Sequence, residues 1–185
     1  MKSLLAAGLA CALSFFLVPH ASAQGPGAHS MVTPDQLQWK DVPALGPGVK
    51  LALIEGPMNE AVPFTIRIRF PPGARVAAHW HPAIEHVTVM SGTFNIGVGD
   101  TFDESKAMQL SPGSVAIMQP KATHFAFFND ETVLQVHGVG PWQVNYVNPE
   151  DDPRKKIELT KNLQIVRHNL PLRHWSGRGL VSARA

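Results

Sequence analysis

The sequence predicts an all-β domain, a sandwich or small barrel of short strands followed by a polar, basic C-terminal tail. Three observations carry this. The 185 residues include 15 Gly and 16 Pro, and only 16% are charged, a composition suited to many tight turns. Between residues 49 and 147, short apolar or alternating runs are bounded by Pro and Gly at regular spacing. No long helical pattern precedes residue 150. The length suits one domain with a sizeable core.

Residues 1–23 carry Lys2, an apolar run from Leu4 to Val18, Pro19, and then Ala21-Ser22-Ala23. A charged start, a short apolar middle and small residues at the end describe a secretory signal peptide, with Gln24 as the expected mature start. The apolar run is short for a membrane span. The expected location is therefore the periplasm or the exterior, with no membrane attachment after cleavage. Cys11, the one cysteine, would leave with the signal. Disulfides, thiolate metal sites and cysteine nucleophiles are then excluded from the mature chain.

Residues 24–48 read as an N-terminal arm rich in Gly and Pro, with a short strand expected in "QLQWKDV". The barrel is expected over 49–150. "VKLALIEG" (49–56) reads as a strand. "PFTIRIRFPPG" (63–73) is the clearest one: Phe64, Ile66, Ile68 and Phe70 alternate with Thr65, Arg67 and Arg69, and Pro71-Pro72-Gly73 stops it. "RVAAHWH" and "EHVTVMSG" read as two strands joined near Pro82 into a hairpin, with a second hairpin turn at Ser91-Gly92. "SPGSVAIMQP" (111–120) gives another strand. "THFAFFNDETVLQVHGVGPWQVNYV" (123–147) gives two more, separated by Asn129-Asp130. Residues 151–185 form the tail, with a short helix expected over 155–168.

Charge is unevenly placed. Residues 24–153 carry seven Lys/Arg against thirteen Asp/Glu, a net of −6; residues 154–185 carry eight against one, a net of +7. An acidic body with a basic tail does not present the basic folded surface that nucleic-acid binding requires. No nucleotide fingerprint, phosphate loop or Ser-His-Asp order is present.

The chemistry concentrates in "GARVAAHWHPAIEHVTVMSG" (73–92). On a strand, His79 and His81 share one face. If Val87 and Val89 face the interior, so does Glu85, while His86 points away. His124 follows a further Pro-Gly-bounded strand that can fold back beside them. Three imidazoles and a carboxylate meeting at one point suit a divalent transition metal: Fe, Mn, Ni, Cu or Zn. Buried without a partner, these groups would be costly. Gln135 and His137 share one face of "VLQVHG", and Leu134 and Val136 the other. They are candidate substrate-pocket residues if that face points inward, and solvated if it points outward. Trp142 and Phe125, Phe127 and Phe128 read as core or subunit-contact residues.

The segment 73–92 resembles the first conserved motif of the cupin superfamily: Gly73, five residues, His79-x-His81, three residues, Glu85, six residues, Gly92. "PGSVAIMQPKATHFAFFN" (112–129) is similar to the second, with Pro112-Gly113, Pro120, His124 and Asn129, although four residues rather than three separate His124 from the Asn. The wording of the chain looks like that of small exported bacterial single-domain cupins. The resemblance implies a double-stranded β-helix, the cupin jelly-roll barrel, with His79, His81, Glu85 and His124 as metal ligands. A set of four protein ligands leaves coordination positions open, which suits a dioxygenase-like oxidoreductase acting on a small organic substrate, with Glu85 also able to act as a base. The rival readings are a non-catalytic metal or small-ligand binding protein and a metal-dependent isomerase or decarboxylase. A homodimer is the default assembly that the resemblance implies.

Overall fold

The structure, a computed structural model, describes residues 29–159. The expected signal peptide, Cys11 and most of the basic tail lie outside the described residues. Within them the chain forms eleven strands: β1 (Lys40–Asp41), β2 (Lys50–Glu55), β3 (Pro63–Phe70), β4 (Arg75–Trp80), β5 (Glu85–Ser91), β6 (Phe94–Val98), β7 (Met108–Leu110), β8 (Val115–Met118), β9 (His124–Phe127), β10 (Thr132–Val139) and β11 (Asn145–Tyr146). They make a six-stranded sheet in the order β1-β2-β3-β10-β5-β8 and a five-stranded sheet in the order β11-β4-β9-β6-β7. Every pairing is antiparallel. Two facing antiparallel sheets with little helix give the jelly-roll expected from the sequence.

The alternation of β3 does what its pattern demands. Phe64, Ile66, Ile68 and Phe70 are buried between the sheets, and Arg67 and Arg69 project from the outer side. Burying one such side chain contributes about 1.5–3 kcal/mol. Phe70 stacks on Phe128, just past the end of β9 in the opposite layer, with ring centroids 3.9 Å apart. Outside, the Arg69 guanidinium lies 4.3 Å from the centre of the Trp39 ring, so the N-terminal arm is held against this sheet by a cation–π contact. The strand expected in "QLQWKDV" is reduced to Lys40–Asp41, which pairs with β2. Leu45 of the arm reaches the core, and the Tyr146 hydroxyl donates to the Ala44 carbonyl at 2.7 Å.

The two expected hairpins are corrected. β4 and β5 belong to different sheets, and so do β5 and β6. The links at Pro82 and at Gly92 are crossovers between the layers. Gly92 is needed there for two reasons. Its φ is +75°, and a Cβ would run into the Glu131 carbonyl and the Thr132 hydroxyl. Residues 153–159 are helical up to the end of the described region, starting two residues before the expected helix. Among the described residues no helix is long and apolar enough to cross a membrane.

Candidate metal centre

His79 and His81 stand on β4 and just beyond it, but simple alternation would not turn them inward. Val76 faces the interior, so a regular strand would present Ala78 and Trp80 there and His79 outside. A bulge reverses this. Val76 pairs with Ala126 and His79 with His124, so β4 advances three residues while β9 advances two. The extra residue flips the phase, and His79 and His81 become buried beside Val76. Trp80 is left half-buried on the other side. His124 opens β9 directly opposite His79. Glu85 opens β5 on the same face as Val87 and Val89, as its parity required.

One ring nitrogen from each of His79, His81 and His124 lies within 4.8 Å of the others. Their ring centroids are 5.0 Å (79–81), 4.3 Å (79–124) and 5.2 Å (81–124) apart. Each Nδ1 is engaged with a backbone carbonyl: Ala77 at 2.7 Å, Gln143 at 2.8 Å and Ala122 at 3.0 Å. A carbonyl only accepts, so each Nδ1 carries the proton and donates. A neutral ring then keeps its Nε2 lone pair for a ligand, the tautomer a metal-binding histidine needs. Burial holds the rings neutral. It lowers His79 well below the ordinary histidine value, with His124 and His81 adding to the effect. It lowers His81 to about 4 and lowers His124 as well, the latter opposed by the Glu85 carboxylate.

Glu85 stands beside this trio. Its Oε2 lies 3.4 Å from His81 Nε2 and 3.8 Å from His124 Nε2. Its Oε1 accepts a hydrogen bond from Trp142 Nε1 at 3.0 Å. Burial raises the Glu85 carboxyl to about 7, against the opposing influence of His124 and the indole hydrogen bond. Burial thus places three neutral imidazoles beside a carboxyl that resists ionisation. A divalent cation would lower the carboxyl again and take up the lone pairs, so the donor set fits one.

These residues form the polar wall of a cavity of about 40 Å³. The rest of its lining is apolar, from Ile68, Phe70 and Val87 to Met118, Leu134 and Val136, with Trp142 beside Glu85.

Of the two facings left open for Gln135 and His137, the structure takes the outward one, so they are not pocket residues. On β10 it is Leu134 and Val136 that line the cavity, so Gln135 and His137 lie on the opposite, outer face. Gln135 accepts from Arg67 Nε at 3.3 Å. His137 sits against His86 across the β10–β5 ladder, with ring centroids 5.1 Å apart. His86 is thus an outer-face residue.

The residue that sequence reasoning undervalued is Trp142. Its ring lies nearly parallel to that of His81, with centroids 5.0 Å apart and planes at 12°. The available signal was chemical: a buried tryptophan needs an acceptor for its N–H, and the inward acid at Glu85 was the obvious one.

The chain matches the family model of the ChrR cupin-like domain over residues 28–143. No curated protein matches it. Two solved structures illustrate the likeness in fold. The polyketide cyclase RemF from Streptomyces resistomycificus is 13% identical, with a TM-score of 0.58 over 71% of this chain and 94% of that one. An acetylacetone dioxygenase from Acinetobacter johnsonii is 14% identical, with a TM-score of 0.52 over 70% of this chain and 83% of that one. With two antiparallel sheets, a buried trio of histidines and a family match across most of the described residues, the chain belongs to the cupins, in the ChrR cupin-like domain family.

Proposed function

We propose that this protein is a metal-dependent, dioxygenase-like oxidoreductase acting on a small organic substrate. One observation carries the reading: the polar lining of an otherwise apolar cavity is three histidines and one glutamate, converging from β4, β5 and β9. In this reading His79, His81, His124 and Glu85 hold a divalent transition ion. The ion, when bound, supplies a Lewis acid with positions open to oxygen and substrate. The chain's own residues do the rest. The apolar walls exclude water and select a small, largely apolar molecule whose polar atoms point at the histidines and Glu85, the polar side of the lining. Glu85, the one carboxylate of the lining, is the group placed to take or return a proton beside the reacting molecule when its Oε2 leaves the ion.

A compact diketone is a reasonable first substrate, because a solved structure of this fold is named an acetylacetone dioxygenase. The test is oxygen consumption and product analysis on protein loaded in turn with Fe(II), Mn(II), Ni(II) and Cu(II). Diketones, phenols and small carboxylates are offered, and His81→Ala serves as the control. Oxygen uptake that depends on both substrate and His81 supports the reading. Turnover that persists without oxygen would point to an isomerase or decarboxylase. Metal-loaded protein that binds these molecules without converting them would point to a binding protein.

We also propose export, on the charged, apolar and small-residue pattern of residues 1–23. The mass of the protein recovered from its native host should correspond to a chain starting at Gln24, and a full-length chain retained in the cytoplasm would overturn this.

A further inference from the structure

Glu85 has two carboxylate oxygens, and they meet different surroundings. Oε2 faces the ring nitrogens of His81 and His124, at 3.4 and 3.8 Å. Oε1 is held by the Trp142 indole N–H at 3.0 Å. Both residues are buried and line the same cavity. We propose that Trp142 is a positioning residue of the metal centre, which reserves one oxygen of Glu85 for the indole so that the acid presents only the other to a bound cation. This rests on the metal-centre reading above and goes beyond it by assigning how the acid engages.

The claim follows from hydrogen-bond chemistry and from how Trp142 is held. An indole N–H only donates, so it can satisfy a carboxylate oxygen and nothing else at that place. A carboxylate with both oxygens turned to one ion can chelate it through both; here the 3.0 Å indole bond holds Oε1 toward Trp142 and leaves Oε2 facing the imidazoles, which orients the acid to engage through Oε2. The chain then supplies at most three nitrogens and one oxygen, which keeps positions open for a small molecule.

The link between β10 and β11 fixes the tryptophan. The Trp142 backbone N–H donates to Met58 at 2.7 Å and that of Gly140 to Val62 at 3.0 Å. A Cβ at Gly140 would run into the Glu60 carbonyl, so the link packs directly on backbone. The next residue completes the grip, because the Gln143 carbonyl accepts the Nδ1–H of His81. Two consecutive residues, Trp142 and Gln143, thus orient two of the candidate ligands, and the indole also lies flat against the His81 ring. A purely space-filling wall would not require a donor aimed at a buried acid.

The experiment is a double-mutant cycle read as Zn(II) affinity by chelator competition. Trp142→Phe keeps a ring against His81 and removes the N–H. It is expected to weaken Zn(II) binding about 10- to 100-fold, as loss of an outer partner of a ligand does. In a Glu85→Ala background the same change is expected to cost less than about twofold, because its action runs through the acid. An equal loss in both backgrounds makes Trp142 a wall residue and overturns the proposal. A second readout uses the unsubstituted protein and survives any folding defect in the variants. The assigned Trp142 indole N–H resonance is expected to shift on Zn(II) addition at constant pH, and an unmoved resonance with zinc bound overturns the proposal. Should the unsubstituted protein bind no zinc, and His81→Ala behave identically, the metal-centre reading fails and takes this one with it.

Discussion

His79 and His124 are direct cross-strand partners on β4 and β9, with ring centroids 4.3 Å apart. They are the tightest pair of the trio, and each is anchored through Nδ1 to a carbonyl two residues earlier, Ala77 and Ala122. Moving either ring away breaks its hydrogen bond to that carbonyl. His124→Ala should therefore cut metal affinity by more than the about 10- to 100-fold typical of losing an outer partner. Chelator competition with Zn(II) or Ni(II) checks this; retention of native affinity would mean the ion is not held by this trio.

Glu85 gives a prediction of opposite sign for stability and for binding. In the metal-free protein its buried carboxyl is raised from 4.5 to about 7, so ionising it above neutrality works against the fold. Each pKa unit is about 1.4 kcal/mol, which makes the penalty on the order of 3 kcal/mol at most. Glu85→Gln keeps an acceptor for Trp142 and removes the charge. Metal-free Glu85→Gln should be more stable than the unsubstituted chain at about pH 8.5 and lose that advantage near about pH 5, below the buried carboxyl's titration. Urea unfolding after exhaustive chelation at the two pH values measures it. The same variant should bind metal more weakly.

Acidification should act mainly through the histidines. Their folded values lie below the ordinary 6.5, His81 at about 4. A depressed value contributes stability that is present above about 6.5 and lost as pH falls toward the folded value. Glu85, raised, has the reverse dependence: its contribution is complete below 4.5 and lost as pH rises through about 7. Between about 6.5 and 4.5 the three imidazoles outweigh the single acid. Metal-free protein should therefore lose up to about 1–3 kcal/mol per pH unit in that window and be most stable near neutrality. Bound metal should raise the melting temperature and be released over the same acid range, since protons compete for Nε2. Thermal melts with and without Zn(II) between about pH 4.5 and 8 test both statements.

Outer-face positions should be silent at the centre. Gln135→Ala and His137→Ala remove side chains on the side of β10 opposite Leu134 and Val136. Each is expected to leave Zn(II) affinity and turnover within about twofold of the unsubstituted protein and to change stability by no more than about 1 kcal/mol. A tenfold loss of either function would return these residues to the pocket.

Gly97 on β6 tests the packing that backs the centre. It pairs with Phe125, and a Cβ there would enter the Phe125 ring. Phe125 is fully buried on the face of β9 opposite His124, against Phe102, so an added methyl must displace a packed ring. Gly97→Ala should destabilise the fold by about 1–3 kcal/mol, the usual result of overfilling a packed site. The midpoint of urea unfolding reads it; an unchanged midpoint would show that the ring can turn aside.

Much of this protein was legible in the chain alone. The alternation Phe64-Ile66-Ile68-Phe70 set an inward face for β3, because a strand's side chains repeat every two residues whatever it pairs with. The spacing of His79, His81, Glu85 and His124 marked the candidate ligands, and the parity of Glu85 with Val87 and Val89 already turned the acid inward. Other features depended on partners far along the chain. Whether Gln135 faced in or out was undecided until β10 lay between β3 and β5, since either phase of an alternating strand is locally acceptable. The bulge between Val76 and His79 exists only in register with β9, and without it the two histidines would point away from the cavity. The bond from Trp142 to Glu85 joins residues 57 apart in sequence. Local periodicity determines which residues share a face, and only tertiary packing decides what that face meets.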